Sequence, residues 1–311
     1  MNPLDVGVVG LGYFGSHHVR HHNAHPAARL AAVVDADLAR AEAVAREYGT
    51  DAFTDHRSMI GKVDAASIAA PTSLHASVAG DLIDAGIHVL VEKPLAAGST
   101  AAADLVERAA KRGVVLQVGH IERYAPVFAA LREQVANPVA IRCTRHATWT
   151  GRAIDADVVL DLMIHDIDLA LTLAAAPVVA VAASGVSVAT NLNDMAEARL
   201  QFANGVVATL SASRVADMPE RRITVAEPGR QLTADLSAQT LTVSAGSDDG
   251  VRVESKSLDR ADNLAAEIDA FVTSVTTGSP PVVDGKAGLE AIVVAEQILS
   301  EIDRTRRTRV T

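Results

Sequence analysis

The chain has 311 residues, 49% of them hydrophobic and 21% charged, which is enough to build two domains with a core each. A formal net charge of −10 disfavours non-specific nucleic-acid binding, because an acidic surface is repelled by a phosphate backbone; the locally basic "DRTRRTRVT" reads as a solvated helix end. No apolar run nears the roughly 20 residues that cross a bilayer, "MNPLDVGVVG" enters a strand with no secretory n-region or h-region before it, and Cys143, the single cysteine, excludes an internal disulfide, so a cytoplasmic protein without a membrane span is expected.

From residue 5 to about 119, short apolar runs alternate with helical stretches. "VGVVG" predicts a strand, and a helix begins after Gly15. "RLAAVVD" is a second strand, followed by the helical "LARAEAVAREYG" with Gly49 as its stop. "AASIAA" is a third strand and "HASVAGDLIDAG" a helix. "HVLVEKP" and "GVVLQVG" are two more strands, with the helix "TAAADLVERAAKRG" between them. Continuous apolar runs of this length separated by helices specify a parallel sheet covered on both faces, so residues 1–119 are expected to form an α/β, doubly wound Rossmann domain.

After Gly119 strand-like segments follow one another through turns. "IRCTRH" reads as a strand with Cys143 packed in it. A helix over about 158–175 comes next. "EARLQFANGVVATLSAS" carries Asn204-Gly205, a favoured two-residue hairpin turn, and "RRITVAEPGRQLTADL" has Pro228-Gly229 in the same role. "NLAAEIDAFVTSVTTG" and "GKAGLEAIVVAEQILSEI" are closing helices. Residues 120–311 are thus expected to be an α+β domain with a large, mostly antiparallel open sheet and helices on one face, its C-terminal helix packing back on the first domain.

Gly10-Leu11-Gly12-Tyr13-Phe14-Gly15 stands at the first strand–helix turn, where a G-x-G-x-x-G run binds a dinucleotide. Gly10 permits the tight turn, Gly12 admits the pyrophosphate, Gly15 lets helix and strand pack, and the helix N-terminus faces the phosphates. Asp35, twenty positions past Gly15, sits where a carboxylate hydrogen-bonds the adenosine ribose and repels a 2′-phosphate, which favours NAD over NADP. The same stretch holds His17/His21 and His18/His22 at i,i+4 spacing. No cysteine or carboxylate in "SHHVRHHNAH" completes a metal shell, so no metal is expected and the histidines read as helix surface, with His17 or His18 at most brushing the cofactor.

Glu92-Lys93-Pro94 ends a parallel strand, the edge at which such sheets bind ligands. A lysine there can hydrogen-bond a substrate hydroxyl and stabilise an alkoxide; an exposed loop lysine is the other reading. In "VVLDLMIHDIDLAL", Asp161, His165 and Asp168 share a helix face, with Val158, Leu162, Ile164 and Leu171 left for burial. A histidine between carboxylates suits a general base, and the same spacing also fits a metal pair or a structural salt bridge.

Taken in order, "GVVGLGYFG", Pro71-Thr72-Ser73-Leu74-His75, "EKP" and Asp161-x-x-x-His165 resemble the Gfo/Idh/MocA oxidoreductase family across essentially the whole chain. The resemblance implies Lys93 and His165 as catalytic residues, with Asp161 orienting substrate or histidine. Tyr13 and Phe14 are candidate cofactor contacts; the resemblance implies that Pro71, Thr72, Leu74, His75, Glu92 and Lys93 line the nicotinamide side and that the C-terminal sheet makes homodimers or homotetramers. "VGHIERYAP" and "VVLDLMIHDIDL" look most like nucleotide-sugar dehydrogenases, which implies a substrate such as UDP-N-acetylglucosamine oxidised at its 3-hydroxyl. Arg123, Tyr124, Arg145 and Arg152 are then candidate substrate contacts, the arginines for diphosphate. Asp157 stands where many members have glycine, and Tyr124-Ala125 where Phe-Asn is usual; both bear on the substrate. An inositol or free-sugar dehydrogenase, or a dinucleotide-binding regulator without catalysis, are the alternatives.

Overall fold

The computed structural model describes residues 3–151 and 154–308. They form two compact units, Met1–Ile121 with Asp262–Ile292 and Glu122–Ala261 with Val293–Thr311. Against the boundary expected at residue 119, the segment from Asp262 to Ile292 joins the first unit.

In the first unit, strands β1 (Leu4–Val9), β2 (Ala28–Val34), β3 (Asp51–Phe53), β4 (Ala65–Ile68), β5 (His88–Glu92) and β6 (Leu116–Gly119) make one sheet in the order β3-β2-β1-β4-β5-β6, all parallel. This is the doubly wound order, whose direction reverses beside β1. Helices α1 (Tyr13–Ala24), α2 (Leu38–Tyr48), α3 (Thr72–Asp84) and α4 (Ser99–Arg112) connect the strands. The strand β3 and a 3₁₀ turn at His56–Met59 were not legible, because three residues are too few to show a period. Helix α7 (Asn263–Thr277) belongs here for a packing reason: its Leu264, Ile268, Phe271 and Val272 are buried against Val6, Ala65 and Leu90 of the sheet. Asp262 caps it, accepting from Ala265 N at 3.1 Å.

The second unit is built on β7 (Ala140–His146), β8 (Val178–Val186), β9 (Met195–Phe202), β10 (Val207–Ser213), β11 (Glu220–Glu227), β12 (Arg230–Asp235), β13 (Thr240–Ser247) and β14 (Gly250–Ser257). Their order is β14-β13-β12-β11-β7-β10-β9-β8, antiparallel except for the β7–β10 pair. Alternation is clean in β9, where Ala196, Ala198, Leu200 and Phe202 are buried and the residues between them exposed. Helix α5 (Pro126–Gln134) packs against β12 and β13, and α6 (Ile164–Ala174) against β7 and β10. Helix α8 (Gly285–Thr308) passes from the first unit into the second, and no helix among the described residues is long and apolar enough to cross a membrane.

Two local expectations change. The β9–β10 hairpin does not use a two-residue turn. Phe202 N donates to Val206 O at 2.9 Å, which leaves three loop residues with only Gly205 at positive φ (+88°); a type I′ turn needs positive φ at Asn204 as well. The helix expected over 158–175 opens as a π-helical turn, Val159–Met163, before α6 begins. Pro228-Gly229 does make a two-residue connection, with Glu227 paired to Arg230.

Candidate active site

The glycine loop is closed by contact. A Cβ on Gly15 would stand 1.7 Å from Gly10 O, and one on Gly10 (φ +87°) would stand 2.6 Å from Ala70 N. A Cβ on Gly12 would meet nothing within 4 Å. The loop is therefore tight toward the sheet and open on the outer side, where Gly12 caps α1 without a side-chain hydrogen bond. Helix α1 starts at Tyr13, earlier than the expected start after Gly15. A cavity of about 610 Å³ opens here, lined by Gly10, Gly12, Tyr13, Phe14, Asp35, Arg40, Pro71 and Leu74 among others. Tyr13 and Phe14 meet edge to face at 5.5 Å and are 63% and 49% exposed, so they stand as an aromatic wall over the loop. A larger hollow of about 760 Å³ beside Pro3, Ala28 and Arg29 lies at the opposite ends of β1 and β2, away from the strand C-termini where such sheets bind ligands.

Asp35 follows β2 and is 8% exposed. Its carboxylate accepts from Leu11 N at 2.8 Å, Asp37 N at 2.9 Å and Arg40 Nη1 at 3.1 Å. Burial works to raise this carboxyl, but the Asp37 and Leu11 amides and the Arg40 guanidinium outweigh it and hold it below the ordinary carboxylate value. A charged, pre-oriented acceptor thus faces the cavity. Arg40, in the first turn of α2, is a site residue that sequence reasoning missed; its position five residues past Asp35 was the available signal.

The loops after β4 and β5 are tied together by His75. Both of its ring nitrogens lie 2.8 Å from main-chain carbonyl oxygens, those of Pro94 and Ala70, and it is 1% exposed. Pro71 and Leu74 line the cavity, Thr72 opens α3, and His75 is placed to shape that wall. Glu92 reaches His18, with Oε1 2.9 Å from His18 Nε2, while its Oε2 accepts from Lys93 N at 3.3 Å. Lys93 is half-buried at the end of this strand.

The histidines of α1 depart from the surface reading. His18 and His22 are fully buried, because α1 lays that face on the sheet. His22 Nε2 is 2.7 Å from Ser67 Oγ of β4, and burial, with the neighbouring histidines adding to it, pushes His22 well below the usual imidazole value. His17 stays outside, its ring 4.9 Å from that of Tyr13.

In the second unit, Asp161 lies in the π-helical turn and His165 in the first turn of α6; both are partly exposed, while Val159, Met163, Ile164 and Ile167 are buried. Asp157 anchors this turn by accepting from Val159 N at 3.0 Å and Asn193 Nδ2 at 2.7 Å. Asp168, read as sharing a helix face with His165, is paired with Arg123. It is 1% exposed and holds Arg123 through two bonds of 2.7 Å. Arg145 is 3% exposed, with Nη1 2.7 Å from Glu122 Oε1 and Nη2 3.0 Å from Asp166 Oδ1. Burial works against the Arg145 charge, but Asp166 and Glu122 outweigh it and push the guanidinium further up. Both arginines are committed to internal ion pairs, at odds with the diphosphate contacts expected of them. Tyr124 is half-buried in the 3₁₀ turn Ile121–Tyr124, and Arg152 lies outside the described residues.

Residues 4–120 match the family described as an oxidoreductase family with an NAD-binding Rossmann fold, and residues 130–227 match the Gfo/Idh/MocA C-terminal domain. Over 305 residues the chain is 38% identical to UDP-N-acetylglucosamine 3-dehydrogenase of Acidithiobacillus ferrooxidans, covering 96% of this chain and 97% of that protein. The chain belongs to the Gfo/Idh/MocA oxidoreductase family. A solved structure of that A. ferrooxidans dehydrogenase has a TM-score of 0.92 at 36% identity, covering 98% of this chain and 99% of the other. The myo-inositol 2-dehydrogenase of Thermotoga maritima is 27% identical and covers 99% of this chain and 98% of its own. A levoglucosan dehydrogenase in complex with NADH shares the fold, at 20% identity and TM-score 0.88 over 97% of this chain and 98% of that one. As a Gfo/Idh/MocA member the protein is an NAD-dependent oxidoreductase, and its loop fits that cofactor: the open side of Gly12 suits the pyrophosphate, and the oriented Asp35 carboxylate suits a ribose diol.

Proposed function

We propose that the protein oxidises the 3-hydroxyl of UDP-N-acetylglucosamine or a close nucleotide sugar, with Lys93 and His165 as catalytic residues. The observation that carries this reading is the 38% identity to the A. ferrooxidans dehydrogenase over 96% of the chain. Bound NAD⁺ supplies the hydride acceptor. His165 takes the hydroxyl proton as general base, and Asp161 orients the sugar or the imidazole. Lys93 Nζ hydrogen-bonds the same oxygen and stabilises the negative charge that develops on it. Tyr124 is a substrate contact in this reading; Arg123 and Arg145 are spent on Asp168 and on Asp166 with Glu122.

A second reading, an inositol dehydrogenase, draws on a 37% identity to inositol 2-dehydrogenase of Rubrobacter xylanophilus over 54% of the chain. A panel of UDP-sugars, free sugars and inositols, followed by NADH absorbance, separates the two. Turnover confined to inositols overturns the nucleotide-sugar reading. Tight NAD binding with no turnover on any member points to a regulator.

We also assign a homo-oligomer built on the outer face of the eight-stranded sheet. Val179, Val186, Met195, Val251 and Val253, all on its strands, are between 40% and 69% exposed. Light scattering tests it, and a monomer at micromolar concentration refutes it. The buried, unpaired Cys143 together with a soluble cofactor suits a reducing cytoplasm.

A further inference from the structure

Behind the strand end that leads into Lys93 lie three ionisable side chains from three elements: His18 of α1, Glu92 of β5 and Glu267 of α7. His18 and Glu267 are fully buried, and the Glu92 side chain is 15% exposed. One ligand atom from each lies within 4.8 Å of the other two. Glu92 is well provided for, with His18 on Oε1 and the Lys93 amide on Oε2. Glu267 is not: neither carboxyl oxygen has a hydrogen-bond partner, on a helix whose Ile268 and Phe271 belong to the apolar core.

The charge balance decides what this cluster is. Facing Glu92 are His18 from α1, Lys93 along the chain and Glu267 from α7; β6 offers only neutral Gln117, whose amide donates to Glu267 O, and Gly119. On the far side of His18, His22 is bonded to Ser67. Glu92 has His18 and Lys93 to stabilise its charge, whereas Glu267 is fully buried beside that charge with no hydrogen-bond partner, so the neutral form is favoured at Glu267. Burial first, and the charge of Glu92 second, push the Glu267 carboxyl well above the ordinary range. Burial presses the same way on Glu92, but His18 and Lys93 outweigh it and hold that carboxyl below its usual value.

A divalent metal fits less well. His18 Nε2 and Glu92 Oε1 are 2.9 Å apart, a hydrogen-bond distance, whereas ligand atoms on a tetrahedral zinc stand about 3.3 Å apart.

We propose that Glu267 and His18 are positioning residues for Lys93: His18 bonds Glu92 directly, Glu267 reaches it through one water, and together they hold the strand end that Lys93 follows. This rests on the assignment of Lys93 to the reaction made above. The Glu267 carboxyl O–H can donate a hydrogen bond to that water, which in turn donates to Glu92, while Glu92 keeps its bond to His18. Neither residue touches substrate or NAD. Their effect is felt as the placement of the lysine relative to the reacting oxygen, where small displacements are costly.

The test joins a direct proton readout to kinetics. In protein labelled with ¹³C at glutamate carboxyls, one resonance is expected at the neutral-acid shift from about pH 6 to pH 8, far above where a free carboxyl titrates, and absent from Glu267→Gln. Glu267→Leu is expected to lower kcat about tenfold, with KM for NAD⁺ within about twofold of wild type, and Glu267→Gln, which keeps the shape and the donor, to recover most of that loss. A merely structural role moves thermal stability without this split or this rescue. An ionised Glu267 resonance, a Gln variant as impaired as the Leu variant, or a stoichiometric divalent metal in purified protein that Glu267→Gln loses would each overturn the proposal. If Glu267→Leu does not fold, the wild-type resonance still decides. Lys93→Met run alongside separates the two readings, since full activity in that variant removes the lysine's role while leaving the Glu267 resonance unaffected.

Discussion

Asp35→Ser tests the cofactor geometry because its effects on NAD and NADP have opposite signs. In the folded protein the carboxylate is held charged by two backbone amides and by Arg40, at distances between 2.8 and 3.2 Å. Serine removes the charge and one of two acceptor oxygens. A charge-assisted bond to the ribose diol contributes about 1.5–3 kcal/mol, so kcat/KM for NAD should fall about tenfold to a hundredfold. The same change relieves repulsion of a 2′-phosphate and frees Arg40, whose side chain is half exposed, so the gain for NADP is discounted for solvent screening to about 1–2 kcal/mol. The preference ratio should therefore shift by about two to four powers of ten. Steady-state kinetics with both cofactors, on Asp35→Ser and on Asp35→Ser with Arg40→Ala, measure it. The second substitution should remove the NADP gain and leave the NAD loss. An unchanged ratio in Asp35→Ser would refute the placement of the ribose at this carboxylate.

The glycine loop predicts a dissociation of stability from binding. Gly15→Ala forces a methyl onto Gly10 O and should cost ~3 kcal/mol by denaturant unfolding, whereas Gly12→Ala, with open space before it, should unfold like wild type and bind NAD at least tenfold more weakly. Lys93→Met and His165→Ala should each reduce kcat by about 10²–10⁴ while NAD affinity by fluorescence titration stays within a few-fold; near-normal turnover in either removes that residue from the chemistry. Asp194 gives the pH prediction. Burial works to raise its carboxyl, but the amides of Thr190, Val188 and Ala189 and the Thr190 hydroxyl bring it down from 3.8 to about 2. A depressed folded value means the stabilisation is fully present above about pH 4 and is lost as pH falls toward 2. Asp194→Asn should therefore cost about 2 kcal/mol at pH 7 and flatten the acid limb of the unfolding curve, which thermal melts across pH will show.

The Rossmann half was legible because its strands are continuous apolar runs and its loop is a fixed spacing with a carboxylate at a fixed distance. Both signals are local. What escaped reading is set by pairings distant in sequence. The two bonds that join Asp168 to Arg123, 45 residues back, leave no trace in the spacing of the helix. Arg145 was readable in principle: Ile141, Cys143 and Arg145 alternate on β7, so a strand that buries Cys143 also buries Arg145, and a buried guanidinium needs the carboxylates it finds. Glu267 left a trace as well, as an acid on the same stripe as Leu264 and Phe271 of α7, where an apolar residue would be routine.

The histidine-rich stretch of α1 shows why spacing alone misassigns such residues. An i,i+4 pair shares a helix face, and that holds equally for the outer pair, His17 and His21, and the inner pair, His18 and His22. Which pair is buried depends on how α1 rotates over the sheet, and Gly15 fixes that rotation by bringing the helix start onto Gly10. Once it is set, each inner imidazole meets a polar atom of a different strand: His22 meets Ser67 of β4, and His18 meets Glu92 of β5. Two such contacts, one turn apart, register the helix along the sheet far more narrowly than apolar packing does, since a slip by one residue would leave buried polar atoms unpaired. The helix end that faces the cofactor phosphates and the strand end that leads into Lys93 are thereby locked to one another through His18, so a substitution at this histidine should disturb nucleotide binding and lysine placement together.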